Sequence, residues 1–172
     1  ALGIRERTDE RNDPSRAFAL EQLDRERQNL AEMKETFDFD KLDENAQLSY
    51  RLFERGVNNS LETDKYHDYS YAFNQMFGVQ SGIPTFMLNR HRIDNIEDAK
   101  NYIKRLEGVA PYMATVVKRS NEAFEKGINP PKFVYGHVIR DAGNVLKGLP
   151  FEESSDDVNL LLNDFKTKVD KL

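Results

Sequence analysis

No cysteine occurs anywhere in the 172 residues, which excludes disulfides and thiolate chemistry and leaves the compartment open. Tryptophan is also absent, so core bulk must come from eleven Phe and seven Tyr. Long apolar runs are missing too. Leu160-Leu161-Leu162 is the longest purely aliphatic stretch, far below the roughly 18 residues that a membrane-spanning helix needs. No basic stripe appears. The 25 Lys and Arg are interleaved with 30 Asp and Glu to a net charge of −5, and runs such as Arg5 to Arg11 alternate in sign as on a solvated helix face. A nucleic-acid partner is therefore not expected, since phosphate neutralisation needs clustered cations.

What is present reads as helix. Asp13-Pro14 opens the first helical pattern, and Leu20, Leu23, Leu30, Met33 and Phe37 supply its apolar stripe. A second helix begins near Asp43, with Ala46, Tyr50, Phe53, Val57 and Leu61 at helical spacing. Tyr66, Tyr69, Tyr71, Phe73 and Phe77 then crowd a stretch punctuated by Gly78, Gly82 and Pro84, which predicts an irregular aromatic-rich loop around 63–84. The clearest pattern starts at Asn95, an N-cap with Asp98 in the acidic role of a capping box. Ile96, Ala99, Ile103, Leu106, Ala110, Met113, Val117 and Phe124 form a seam that predicts packing against antiparallel neighbours. Pro111 predicts a break near Gly108. Gly127 reads as a C-cap, and Asn129-Pro130-Pro131 starts the next helix, with Val134, Val138, Ala142, Val145 and Leu149 on its apolar side. A last helix is expected from Ser154 or Ser155, burying Val158, Leu161, Leu162, Phe165 and Val169. The fold class is thus all-α, a multi-helix bundle forming a single helical domain over 1–172. Starting at Ala1 rather than Met, and ending at Leu172 inside a helical pattern, it is read as a piece of a larger protein.

The residues that carry chemistry are few. His67, His91 and His137 are the three histidines, and a zinc site needs three or four converging ligands. His137 and Asp141 share a helix face, but nothing nearby adds a third ligand. No Gly-x-Ser-x-Gly elbow and no phosphate-cradling glycine loop occurs. The adjacent acids Glu152-Glu153 and Asp156-Asp157 fit the start of a helix, where the dipole favours negative charge. No catalytic, cofactor-binding or metal-ligating residue is assigned. The segment from Tyr69 to Gly82 mixes aromatics with amides and glycines. It either lines a ligand groove, with Tyr71, Asn74 and Gln75 as the candidate contacts, or plugs one end of the bundle.

One order of short motifs is familiar as a set: Asn74-Gln75-x-x-Gly78, Ile83-Pro84, Asn95-x-Glu97-Asp98-Ala99-x-x-Tyr102-x-x-Arg105-Leu106, then Gly127-Ile128-x-Pro130-Pro131-Lys132-x-Val134 and Val138-Ile139. Together they resemble the N-terminal portion of bacterial domain-of-unknown-function family 885, large helical proteins that often carry export or lipoprotein signals. That family in turn resembles zinc metallopeptidases of the helical gluzincin kind, with a suspected His-Glu pair followed by Pro-Gly-His well downstream. In this chain His67 precedes Asp68, His91 precedes Arg92 and His137 precedes Val138, so none of those ligands carries over. The resemblance implies zinc only in the full-length protein, where the metal would activate water and the Glu would serve as base. It implies a peptide substrate, a C-terminal remainder of the same chain as partner, and a periplasmic or lipid-anchored location, with the cytoplasm as the other option. The alternative is a non-enzymatic cell-envelope binding or scaffold module. An unrelated interaction bundle, whose 96–124 seam receives a partner helix, is the third reading.

Overall fold

The computed structural model describes residues 7–148 and 160–172. Among these the chain contains seven α-helices and no strand: α1 (Arg16–Thr36), α2 (Glu44–Thr63), α3 (Val79–Asn89), α4 (Ile96–Glu107), α5 (Val109–Glu125), α6 (Lys132–Leu146) and α7 (Leu160–Val169). Two short 3-10 turns, Phe39–Lys41 and Asp64–Tyr69, follow α1 and α2. The all-α class expected from the periodicity is what forms. The chain divides into two compact units, Asp13–Ser70 and Ala1–Asn12 with Tyr71–Leu172.

In the Asp13–Ser70 unit, α1 and α2 pack as a hairpin. The expected start at Asp13-Pro14 moves slightly. Ser15 is the cap, its hydroxyl accepting from the Phe18 amide at 3.1 Å, while Asp13 accepts from the Ser15 amide at 2.8 Å. Asp43 caps α2 as its sequence position predicts, accepting from the Ala46 amide at 2.8 Å. The first residue of α1 and the residue just past α2 meet in a bidentate pair, Arg16 Nη1 and Nη2 to Asp64 at 2.6 Å each. Lys34 and Glu54 join the same two helices. Burial is thin: Leu30 is the one buried residue of α1 and Val57 that of α2. Phe37, counted in the apolar stripe, is exposed.

In the other unit, α3 packs against α6 and α7. The irregular loop predicted around 63–84 covers less of the chain than expected. Asp64–Tyr69 is a 3-10 turn, and from Val79 the backbone is helical despite Gly82 and Pro84. Pro84 costs α3 the amide that would have met the Gln80 carbonyl. It is tolerated because its ring is among the most deeply buried in the molecule. The core gathers Met87, Ile93 and Tyr102, with Ala99, Leu161, Phe165 and Val169 packed against them. Val158 and the expected α7 start at Ser154 or Ser155 lie outside the described residues, as do Leu149, the acid pairs Glu152-Glu153 and Asp156-Asp157.

The 95–126 region follows its sequence signals at the ends and departs from them in phase. Asn95 accepts from the Asp98 amide at 2.9 Å. Asp98 turns its own carboxylate to the Asp94 amide at 3.0 Å. The break falls at Gly108, where Pro111 has no amide to offer the Glu107 carbonyl. A Schellman motif closes α5, with Gly127 at φ 77° and the Ile128 amide donating to Ala123 O at 2.9 Å. The buried stripe, however, is not the predicted seam. Ile96 (69% exposed), Ile103, Leu106, Val117 and Phe124 (63%) are exposed. The covered or half-covered side is Asp98, Tyr102, Arg105, Val109, Tyr112, Val116 and Ala123. That is the same three-four rhythm moved back by one residue. The polar members of the stripe hid it from a hydrophobicity count.

Candidate functional site

The segment 71–78 is organised around one side chain. Asn74 Oδ1 accepts from the amides of Met76 (3.0 Å) and Phe77 (2.7 Å), and its Nδ2 donates to the Tyr71 carbonyl at 3.0 Å. The Asn74 carbonyl receives Gln80 Nε2 at 2.6 Å, and the Val79 amide closes on Ala72 O at 2.9 Å. Gly78 belongs here for space. A Cβ on it would land on Gln80 Oε1 and lie 2.6 Å from the Asn74 carbonyl oxygen. Of the three sequence candidates, Asn74 thus spends its polar atoms on the backbone, Tyr71 is half-buried and Gln75 is exposed.

None of those three lines the adjoining cleft, although their neighbours do. A hollow of about 350 Å³ is walled by Phe77, Ile83 and Phe86 on one side and by Arg11, Arg105 and Tyr112 on the other. α4 brings Arg105 to it from the buried stripe, and the residues before α1 bring Arg11. Arg11 Nε donates to the Arg105 carbonyl at 3.2 Å. The Arg105 guanidinium stacks 4.7 Å from the Phe86 ring centroid, and that of Arg11 lies 5.9 Å from the Tyr112 centroid.

The electrostatics of this pair are unusual. Arg11 Nη2 and Arg105 Nε are buried with no hydrogen-bond partner among the described residues. The nearby acids are engaged elsewhere: Asp9 with Lys104 at 3.5 Å, and Glu10, which borders the cleft, with Arg7. Burial holds both guanidinium groups below their ordinary value. The Arg105 charge lowers Arg11 further, and Asp9 offsets part of the effect on Arg105. Behind Arg105 lies buried His91, its Nδ1 3.5 Å from Arg105 Nη1 and its Nε2 3.3 Å from Asp98 O. Its pKa is lowered first by burial, then by Arg105 and Lys168, against the raising effect of the Asp98 carbonyl and carboxylate. A charged group without a partner is costly to bury, so two cations in one partly apolar cleft favour a negative partner there, with the Glu10 carboxylate at the border already paired to Arg7. Sequence reading missed both residues. Arg105 was within reach, because it follows Tyr102 and Asp98 at helical spacing on one face. Arg11 was not, lying 94 residues away in sequence.

The whole chain, residues 1–172, matches the family described as bacterial protein of unknown function (DUF885). The chain belongs to that family. No curated protein and no solved structure matches it. The match agrees with the motif order seen in the sequence, and several of those motif residues now have structural duties in this family member. Asn74 and Gly78 shape the turn, Asn95 and Asp98 cap α4, Tyr102 fills the core, and Gly127 ends α5.

The described residues do not fit a zinc site. No group of three or more His, Asp or Glu side chains among them converges as metal ligands would. His91 is committed to Asp98 and Arg105. His137 is exposed on α6, and Asp141 accepts from Arg140 Nη2 at 3.1 Å. His67 is half-buried in the 3-10 turn after α2. No helix among the described residues is long and apolar enough to cross a membrane.

Proposed function

We propose that this chain is the N-terminal helical region of a zinc-dependent, peptidase-like bacterial protein, and that it supplies walls and not the reacting groups. The observation that carries the reading is α6. Val134, Val138 and Val145 cover its inner side, yet Tyr135, Ile139, Ala142 and Leu146 form a second apolar stripe at helical spacing, and that stripe is exposed. An apolar face that widens from the packed side onto exposed positions, leaving His137, Arg140, Asp141 and Asn144 for a polar side, is the mark of a helix with a further neighbour. The C-terminal remainder of the protein is the natural cover, and with it would come the metal ligands that the described residues do not provide. Peptide is the substrate class, and a periplasmic or lipid-anchored location belongs to the same reading.

The second reading, a non-enzymatic envelope binding or scaffold module, is favoured by the arginine-lined cleft, which suits recognition without chemistry. Elemental mass spectrometry of the full-length protein beside this chain, with a peptide-hydrolysis assay on both, separates the two. Stoichiometric zinc and hydrolysis in the full-length protein alone support the peptidase-like reading. Zinc in neither overturns it in favour of the binding module. Stoichiometric zinc in this chain would overturn the placement of the metal outside it.

A further inference from the structure

We propose that the cleft between Arg11 and Arg105 is a binding site for a carboxylate carried on an apolar, aromatic body about the size of a single blocked amino acid. The inference stands on the cleft alone and is independent of the peptidase-like reading.

Three observations converge on it. The first is unspent donor capacity: Arg11 Nη2 and Arg105 Nε are buried without partners, and Arg11 Nε is used only on a backbone carbonyl. A guanidinium presents five N–H groups in a planar fork that matches the two oxygens of a carboxylate. The second is the charge balance. The two cations face each other with no acid paired to either among the described residues, because Asp9 and Glu10 are taken by Lys104 and Arg7. An incoming anion relieves the repulsion between the two guanidinium groups and offsets what burial costs their charged form. The third is shape and polarity. Phe77, Ile83, Phe86 and Tyr112 supply an apolar, largely aromatic part of the wall, with Asn12 and the Arg7-paired Glu10 at its border, and Phe77 is 85% exposed, poised to lie against a ring. The hollow of about 350 Å³ sits at the small end of the usual range for ligand sites.

Carboxylate is favoured over phosphate by the surroundings. Phosphate sites usually add backbone amides from a glycine-rich turn or a helix N-terminus. Here the amides of Met76 and Phe77 are spent on Asn74, and the Gly82 amide on the Gly78 carbonyl at 2.9 Å. The Val79 amide at the start of α3 is likewise spent, on the Ala72 carbonyl, and the two arginine forks are the charged donors that line the cleft.

The test is calorimetric titration of this chain with N-acetyl-phenylalanine, its carboxamide and phenyl phosphate, repeated on Arg11→Gln and Arg105→Gln. Arg11 lies outside every helix, so R11Q keeps the proposal testable where R105Q disturbs α4; circular dichroism reports which variants fold. The acid is expected to bind at least about tenfold more tightly than the amide, and each folded variant to lose at least about tenfold for the acid, the scale of hydrogen bonds to a charged group. Equal affinity for acid and amide would overturn the proposal. So would no binding of any probe at millimolar concentration, or full affinity retained in R11Q. Tighter binding of phenyl phosphate than of the acid would overturn the carboxylate assignment.

Discussion

The ammonium group of Lys168 lies 3.0 Å from the Leu88 carbonyl oxygen, 80 residues away in sequence. It also reaches Met87 O at 3.1 Å and His91 O at 3.3 Å, so one side chain on α7 satisfies the open end of α3. A cation there also opposes the negative end of the α3 dipole. Asp164, one turn earlier on α7, holds it in place at 2.7 Å. Lys168→Met keeps the stem and removes all three bonds. It is expected to cost about 2 kcal/mol, the scale of a charge-assisted hydrogen bond in a partly screened position. In urea titrations the midpoint should fall with the slope unchanged; an unchanged midpoint would show that the α3 end is satisfied by water instead.

Tyr102 is pushed up to about 12, mainly by burial and secondarily by the Asp164 charge. Its folded value lies above the ordinary 10.0, so the folded state prefers the neutral phenol. That contribution is complete below pH 10 and is lost as pH rises from about 10 to 12. An ultraviolet titration should show a tyrosine step near the folded value of about 12, and Tyr102→Phe should remove it. The same variant should flatten the alkaline fall in stability.

His91 runs in the other direction. Its folded value lies below the ordinary 6.5 because burial, Arg105 and Lys168 disfavour the imidazolium. The unfolded chain therefore takes up a proton first as pH falls, and stability should decline from roughly pH 7 downward. His91→Gln removes the titrating ring while leaving unchanged in sequence the groups that face it, Asp98 and Tyr102 among them. Comparing denaturation midpoints at neutral and mildly acidic pH checks this. The wild type should lose more than the variant, and parallel losses would assign the effect to carboxylates.

Gly78→Ala should destabilise through contact rather than through backbone freedom. Gly78 has a φ of −63°, open to any residue, but an added methyl meets the Asn74 amide nitrogen at 2.7 Å and its carbonyl oxygen at 2.6 Å. Forcing an atom into packed space costs about 1–3 kcal/mol. Gly82→Ala is the control, since nothing lies within 4 Å of its would-be Cβ. Thermal denaturation of the pair should separate them by several degrees.

The legible parts of this fold were its punctuation marks. Asp43, Asn95, Gly108 and Gly127 act locally, through caps and amides within a few residues, and each sits where its chemistry predicts. α3 was illegible at its start because Pro84 reads as a stop, and only deep burial among distant residues makes a helix worth keeping around it. The phase of α4 and α5 departs from the aliphatic periodicity for a related reason. Asp98, Tyr102, Arg105 and Tyr112 line the covered side because caps, rings and a cleft need them there, and a count of aliphatic residues passes over all four. The site was half visible. Phe77 falls within the 69–82 stretch and Ile83 and Phe86 just beyond it, while Tyr112 and the two cations depend on a meeting of residues 11, 105 and 112 that no local pattern encodes.

The Asp13–Ser70 hairpin draws its alignment from ion pairs, with Arg16–Asp64 near its ends and Lys34–Glu54 between the helices, and it buries little more than Leu30 and Val57. Cooperative resistance to opening comes from buried apolar contact, and regions poor in it occupy the low end of the range of local stabilities. The amides of α1 and α2 should therefore exchange with solvent deuterium well before those of α3 and α4, at a rate that rises with added salt. Salt, by screening these two partly exposed pairs, becomes a modest second dial beside temperature on how often this hairpin opens.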